Sequence, residues 1–374
     1  MTVCVTGATG FVGGHLAREL VERGERVRVT YRDEARLDRL RGLDVEPVRA
    51  DVLDRDALRG ALDGVDTLFH AAGVVGSGRR AWEVNAIAPR IAVEAAADAG
   101  VRRVVHTSSV VAIGPAQDGR PGREDDVYRG GGLGLVYVDS KHEGEVEAIR
   151  AALRRGVDLV MANPAYVIGV PLDRGRLGET SSRQVLRLAR GEWPALVDGP
   201  TNVVDVRDVA AGHALVAERG RTGERYVLGG HNSSWARLAE RLMELTGRAA
   251  PALLVPRAAA RIAHVQHLLG LPPVLTGGIV TRLAAPNWQY VSDKAERELG
   301  YAPRPLDETL EWIAAWAREL EERGVLDGAP PRGASPALVA LLRAVERAGG
   351  PRLVVATRRA RRSPRRSAPR PRRA

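Results

Sequence analysis

Two side chains four residues apart could move a proton. Tyr137 and Lys141 stand in the run Tyr137-Val138-Asp139-Ser140-Lys141. On a helix, positions i and i+4 share a face, so the phenol and the ammonium would project side by side. A phenol beside a fixed cation suits general acid chemistry. Composition singles out the lysine. Of 56 basic residues only Lys141 and Lys294 are lysines, and the rest are arginines. A lysine that persists against that bias marks a position where a compact ammonium is needed and a planar guanidinium does not serve. A Tyr-x-x-x-Lys pair also arises by chance, so its weight depends on what surrounds it.

The start of the chain supplies that context. Val3-Cys4-Val5-Thr6-Gly7-Ala8-Thr9-Gly10-Phe11-Val12-Gly13 reads as a strand, three glycines at spacing three, and the start of a helix. Glycines permit a tight turn and let the backbone approach a pyrophosphate, which sits on the positive end of the helix. The spacing differs by one residue from the Gly-x-Gly-x-x-Gly dinucleotide fingerprint. A plain strand–helix turn is the alternative, and the flanks favour the nucleotide. The second strand ends Val29-Thr30-Tyr31-Arg32 with no acid at 30 or 31. A carboxylate there would take a ribose 2′-hydroxyl, whereas an arginine accommodates a 2′-phosphate, so Arg32 favours NADP over NAD. Asp33 follows and could pair with Arg32. Asp51-Val52, ending the third strand, would border the adenine. His70-Ala71-Ala72-Gly73 ends the fourth with small residues where backbone must approach cofactor, and His70 reads as a packed residue.

These residues need a scaffold that brings strand ends together. Strand-like runs at 2–6, 26–31, 45–50, 66–70, 102–107 and 157–162 alternate with helical patterns, among them 82–99 and 137–155. Such alternation predicts an α/β doubly wound parallel sheet, the Rossmann arrangement. The expected organisation is a nucleotide-binding domain over 1–170, with 200–230 returning to it. A substrate-binding region would take 171–199 and 231–325. Val203–Val206 reads as a strand, with Asp208 placed to cap the helix after it. Leu306–Glu322 is a strongly amphipathic helix. From 326 the sequence predicts a linker, a short amphipathic helix from Ser335 and a disordered Arg/Pro-rich tail.

Composition narrows the class. With 44% hydrophobic and 27% charged residues, the chain reads as a globular protein. The net charge of +10 is local. Residues 358–374 hold nine arginines and no acid, which leaves the body close to neutral. An Arg-rich tail could touch nucleic acid or anionic lipid, but no aromatics interleave for base stacking, and a solvated extension is favoured. The lone Cys4, in an apolar segment, excludes an internal disulfide and reads as a buried thiol. No stretch approaches the length of a membrane span, and no leader precedes the first strand, so a cytoplasmic location is expected. No metal site is expected.

Together these residues resemble the extended short-chain dehydrogenase/reductase family over roughly 2–325, and within it the dihydroflavonol 4-reductase-like branch. That branch includes hopanoid-associated sugar epimerase-like proteins. The resemblance rests on Thr6–Gly13, Asp51-Val52, His70–Gly73, Thr107-Ser108-Ser109, Tyr137-x-x-x-Lys141, Asn163-Pro164, Val204–Asp208 and the closing motif Ser292–Pro303. It implies that Tyr137 is the acid/base and that Lys141 binds the nicotinamide ribose and lowers the Tyr137 pKa. Ser109 would hydrogen-bond the substrate oxygen, with Ser108 its neighbour for that role. Asn85, Pro164, Ala165 and Val167 would lie near the nicotinamide. A homodimer through the helix bearing Tyr137 is a further implication. Two features depart from the family: Pro89 inside a helix, and Gly130–Gly134, which would loosen the approach to Tyr137.

The reading that follows is an NADP(H)-dependent reductase or dehydrogenase acting on a small hydrophobic ketone, aldehyde or alcohol. The alternative is a nucleotide-sugar epimerase that retains NAD, against which the missing acid at Tyr31 counts. A non-catalytic nucleotide-binding regulator would commonly lack the Tyr or the Lys, and both are present.

Overall fold

The computed structural model describes residues 1–175, 180–190, 195–247, 252–255, 286–325 and 353–354. Seven strands form one parallel sheet: β1 (Thr2–Thr6), β2 (Arg26–Tyr31), β3 (Val45–Arg49), β4 (Thr67–His70), β5 (Arg103–Thr107), β6 (Asp158–Pro164) and β10 (Arg225–Leu228). Their order is β10-β6-β5-β4-β1-β2-β3. The chain runs outward from β1 to β3, then crosses back to β4 and continues the other way. The strand order therefore reverses between β1 and β4, and the crevice at their carboxyl ends is where such a sheet binds ligands. Register places Thr6 of β1 opposite His70 of β4, so the glycine turn after β1 and Ala71–Gly73 emerge side by side.

Helices cover both faces, which is why the central strands read as nearly continuous apolar runs. On one face α1 (Phe11–Glu22) and α8 (Val206–Arg219) pack on Val3, Val5, Phe69, Val105 and Val160. On the other, α2 (Arg55–Ala61), α4 (Ala88–Asp98) and α6 (Val136–Arg155) pack on Cys4, Leu68, Val104 and Leu159. Burial pushes the Cys4 thiol up to about 12, consistent with an inert role. Helix α6 ends at Gly156, whose φ of +65° suits glycine. Its buried face carries Lys141, Glu145, Ala148 and Ala152, an i, i+4 series that aims Lys141 at the sheet.

The helical run after Gly78 is interrupted. Between α3 (Arg79–Trp82) and α4, residues Glu83–Ile87 form a π turn. Pro89 has no N–H for the carbonyl four residues back, and its ring disfavours a regular turn there. The freed Asn85 carbonyl points into α6 at Gly144. A Cβ at Gly144 would lie 2.0 Å from that oxygen, so only glycine fits. The departure at Pro89 and the glycine at 144 are thus two halves of one contact.

A second layer stands over the carboxyl end. Strands β7 (Tyr166–Ile168), β9 (Pro200–Asp205) and β11 (His231–Ser234) form a mixed sheet in the order β11-β9-β7. Helices α7 (Thr180–Ala189), α9 (Trp235–Thr246) and α11 (Leu306–Glu322) share a core around Trp316, which is fully buried. Short helices α5 (Val110–Ile113) and α10 (Asp293–Leu299) complete the described set. The cap of α8 is Asp205, whose carboxylate accepts from the Arg207 amide at 2.8 Å. The expected cap, Asp208, lies one turn inside and instead binds Arg304 ahead of α11, at 2.9 Å to the amide and 2.7 Å to Nε. The helix starts three residues earlier than the apolar pattern suggested, and that shift reassigns the two acids.

A third set pairs β12 (Ala252–Val255) with β8 (Ala195–Val197) and with β13 (Leu353–Val354). The region after 326 therefore contributes one short strand, Leu353–Val354, among the described residues. The expected linker after 326, the helix from Ser335 and the Arg-rich end lie outside the described residues. Among the described residues no helix is long and apolar enough to cross a membrane.

The Gly144 contact gives a direct test. Gly144→Ala should lower stability by about 1–3 kcal/mol, the usual penalty for overpacking. Gly60→Ala, in α2 with open space around it, should be neutral or mildly stabilising. Urea unfolding of both variants would check this, and equal midpoints would remove the Asn85–Gly144 clash.

Candidate active site

One cleft of about 470 Å³ opens at the strand-order reversal. It brings together Gly7, Thr9, Gly10, Phe11, Val12 and Gly13 from the first turn, and Arg32, Asp51 and Val52 from the next two strand ends. Ala71, Ala72 and Gly73 follow β4, and Thr107, Ser108 and Ser109 follow β5. Tyr137 and Lys141 enter from α6, and Pro164, Ala165 and Val167 from the end of β6 and β7. Of the candidate residues only Asn85 does not line it.

The glycine turn is shaped for close approach. Gly7 has φ +71°, and the Gly10 amide bonds its carbonyl at 2.9 Å. A Cβ at Gly13 would sit 2.3 Å from the Gly7 oxygen, and one at Gly7 would sit 2.7 Å from the Ala72 backbone. Helix α1 begins at Phe11 with no side-chain cap, so its first amides remain available to a phosphate. A cradle of this kind, open at a helix N-terminus and floored by backbone, fits the diphosphate of a dinucleotide.

At the other end of this half, arginines gather around Tyr31. Arg32, Arg36 and Arg80 all line the cleft. Asp33 does not pair with Arg32. Its carboxylate caps the turn at the Ala35 amide (3.2 Å) and reaches Arg36 at 3.6 Å. Arg32 makes no ion pair among the described residues. Asp51 accepts from the Leu53 amide (3.1 Å) and from Arg80 (2.9 Å). Burial alone would raise its pKa, but these partners together hold it below the usual carboxylate value.

The proton-handling group is compact. Lys141 is 6% exposed, and Nζ donates to the Thr107 carbonyl at 3.1 Å. Its other two N–H groups have no protein acceptor among the described residues. Burial pulls its pKa down to about 8, while Glu145 one turn further on draws it up. Gly73 leaves room for the ammonium, since a Cβ there would be 3.3 Å from Nζ. Tyr137 is half-buried and lines the cleft with Ser109, whose hydroxyl donates to the Pro164 carbonyl at 3.4 Å. Burial raises the Tyr137 pKa, and the neighbouring Ser109 hydroxyl works against that rise. Ser109 caps α5 through the Val111 amide at 3.3 Å. Ser108 lines the cleft, and its hydroxyl has no partner among the described residues.

Asn85 serves the wall of the cleft from behind. Its amide accepts from the Val74 amide at 2.9 Å, donates to the Val74 carbonyl at 2.8 Å and donates to Ser140 Oγ at 3.2 Å. It fixes the segment after Gly73 to the helix bearing Tyr137. The Gly130–Gly134 approach is also pinned at one end. Gly130 is buried, and a Cβ there would meet the Tyr128 ring at 2.5 Å. Tyr128 stacks on His142 and donates to Asp139 at 2.7 Å.

Sequence reasoning missed a buried support. Glu145, fully buried, pairs with Arg225 at 2.7 Å and accepts from Asn163 Nδ2 at 2.6 Å. Asn163 Nδ2 also donates to the Ser109 carbonyl at 3.1 Å. The visible signal was the spacing of Glu145, four residues after Lys141. Also missed were Tyr166, Ser181, Gln184, Asn202, Trp235 and Trp288, which line the outer half. They come from five separated segments with no motif. His70 is buried, bonds Thr6 Oγ1 at 2.9 Å and stacks on His106. Burial, then Lys141, lowers its pKa to about 3, so it stays neutral near pH 7.

With two lysines in the chain, the Lys141 value is directly measurable. Protein labelled with ¹³C-lysine should give two side-chain Cε resonances. The one absent from Lys141→Arg should titrate near pH 8. A Lys141 resonance unchanged between pH 7 and 9 would contradict the buried, singly partnered ammonium.

Comparison with known proteins agrees with this architecture. Residues 3–229 match the family described as "NAD dependent epimerase/dehydratase family". The chain is 36% identical over 329 residues to a Synechocystis sp. protein named "Putative dihydroflavonol 4-reductase", covering 83% of this chain and 93% of that one. It is 34% identical over 335 residues to sterol demethylase protein B of Methylococcus capsulatus, covering 85% and 99%. A crystal structure of a nucleoside-diphosphate-sugar epimerase from Pseudomonas aeruginosa superposes with a TM-score of 0.72 at 30% identity, covering 85% and 98%. The chain belongs to the NAD-dependent epimerase/dehydratase family, the extended short-chain dehydrogenase/reductases, and is an enzyme of that family's reductase and epimerase type.

Proposed function

We propose that this enzyme transfers a hydride between NADP(H) and a ketone, aldehyde or alcohol of a small hydrophobic molecule. The observation that carries the reading is that Tyr137, Ser109 and a buried Lys141 line the same cleft as the glycine turn. Bound nicotinamide would supply or accept the hydride. A carbonyl becoming an alkoxide needs a proton and a second hydrogen bond. Tyr137 is the proton donor: burial keeps the phenol protonated at neutral pH. Ser109 holds the same oxygen and orients it. Lys141 turns its two unpartnered N–H groups to the ribose hydroxyls, where they anchor the cofactor beside Tyr137. Gly7–Gly13 carries the diphosphate, Asp51 and Val52 border the adenine, and Ala71–Gly73, Thr107, Ser108, Pro164, Ala165 and Val167 line the rest of the nucleotide path. Segments 171–199 and 231–325 form the substrate-binding region.

Arg32 favours NADP. It lines the cleft at the end of β2 without a carboxylate partner, with Arg36 and Arg80 nearby. Three guanidinium groups around a position lacking an acid suit a 2′-phosphate. A second reading, a nucleotide-sugar epimerase that retains NAD, draws support from the likeness to the Pseudomonas aeruginosa epimerase. The nucleotide that co-purifies separates the two: tightly held NAD favours the epimerase, and an empty site that prefers NADPH favours the reductase.

Tyr137→Phe should lower kcat by about 10²–10⁴, the usual range for a lost acid, with NADPH binding nearly unchanged. Undiminished NADPH oxidation would remove Tyr137 from the mechanism. Lys141→Arg should impair cofactor binding and turnover together, because the longer planar fork does not fit a site built around an ammonium. Arg32→Asp should weaken NADPH by roughly 10–100-fold, as for a lost charged hydrogen bond. NADH should change much less, and equal losses for both nucleotides would reject the NADP assignment.

A further inference from the structure

The outer half of the cleft holds a polar group with a fixed orientation. The Tyr166 hydroxyl donates to Gln184 Oε1 at 2.5 Å. With the amide oxygen engaged by Tyr166, the NH₂ faces away from it. Tyr166 is itself held edge-on against Trp235, with ring centroids 4.9 Å apart at 83°. The Gln184 side chain lines the cleft, and its amide nitrogen has no protein partner among the described residues. Ser181, three residues earlier on α7 and so on the same helical face, lines the same wall. Trp235 and Trp288 add flat apolar surface.

Charge is distributed unevenly along this cleft. The cations among its described lining residues are Arg32, Arg36, Arg80 and Lys141, and all four stand on the cofactor-binding half. Among the described residues an anionic substituent beside Gln184 would lose its water without gaining a cation, which is costly. A neutral acceptor oxygen would gain a donor already aimed.

We propose that Gln184, oriented by Tyr166, is a specificity-determining donor for an uncharged oxygen on the substrate, remote from the reacting carbonyl. The substrate class is then a ring-bearing ketone, or its alcohol, that carries a second neutral oxygen such as an ether, ester or carbonyl. The proposal rests on the reading of Tyr137 and Ser109 as the reaction centre. Tyr166 is a positioning residue: it denies the amide its flipped orientation, in which Oε1 would instead accept from a hydroxyl.

The test measures binding, so it does not depend on turnover. Tryptophan fluorescence of the NADP⁺-loaded enzyme is titrated with 6-methoxy-2-tetralone, with its isostere 6-ethyl-2-tetralone and with the 6-carboxylate. The methoxy ketone should bind about 5–10-fold more tightly than the ethyl ketone, the worth of one well-placed hydrogen bond. The carboxylate should bind most weakly. Gln184→Leu should erase the methoxy–ethyl difference. Tyr166→Phe, which keeps the ring on Trp235, should shrink it and improve 6-hydroxy-2-tetralone relative to the methoxy probe, a change that loss of packing alone would not produce. Equal affinity of the wild-type enzyme for the methoxy and ethyl ketones, absence of binding by both, or a difference that survives Gln184→Leu overturns the proposal. A binding preference retained in Tyr137→Phe alongside full turnover would instead reject the reaction centre while leaving the Gln184 subsite standing.

Discussion

The Lys141 ammonium is withdrawn from water by the fold, and an isolated charge in such a position is strongly disfavoured. Three features make its placement tolerable. The Thr107 carbonyl at the end of β5 accepts one N–H, Glu145 lies one helical turn away, and Gly73 contributes no side chain where the ammonium needs space. Each belongs to a different element, so holding one cation fixes β5, the segment after β4 and α6 relative to one another. The two N–H groups left over are what a cofactor with vicinal hydroxyls would complete. Binding and the relief of a buried, under-partnered charge are then one event.

The same helix is tied down on its far side. Glu145 pairs with Arg225 on β10 and accepts from Asn163 on β6, and the Asn163 amide also holds the Ser109 backbone. A buried ion pair contributes little net stability, yet removing one partner leaves an uncompensated charge, so such pairs act mainly through position. Here the effect is to lock the strand end bearing Ser109 to the helix bearing Tyr137. On the opposite edge the Asn85 carbonyl, released by Pro89, seats against Gly144, and the Asn85 amide grips Val74. Helix α6 therefore has little freedom to slide, and the placement of Tyr137 and Ser109 on one cleft follows from contacts made elsewhere.

Along the cleft, electrostatics and shape divide the work. One half offers uncapped helix amides and guanidinium groups, the chemistry of phosphate. The other offers indole and phenol surface with neutral amide and hydroxyl groups. Tyr137 and Ser109 stand where the halves meet, with Lys141 on the cofactor side. The dinucleotide would enter through the charged half, and the substrate is left with an environment that rewards flatness and penalises charge.

Much of the first half was legible in the linear chain, because its determinants are local. The glycine spacing follows from one tight turn, the Tyr137–Lys141 pairing from one helical period, and the sheet from strand–helix alternation. Strand ends at Asp51, Ala71–Gly73 and Thr107–Ser109 converge because parallel strands share a direction, so their order alone predicts a common edge. Other features needed the third dimension. Asn85 looks like a cofactor residue by position, but the π turn that Pro89 induces swings it behind the wall. Asp205, not Asp208, caps α8, since the helix begins where packing rather than the apolar pattern dictates. Asn163 and Arg225 become partners of Glu145 only when β6 and β10 are neighbours. Tyr166, Gln184, Trp235 and Trp288 meet although they are dispersed over more than a hundred residues. The sequence by itself thus determined what depends on short-range geometry: a glycine turn at a helix start, a tyrosine and a lysine on one helical face and a doubly wound sheet. Tertiary structure alone decided what surrounds that chemistry, because burial, pKa and orientation come from neighbours distant in the chain.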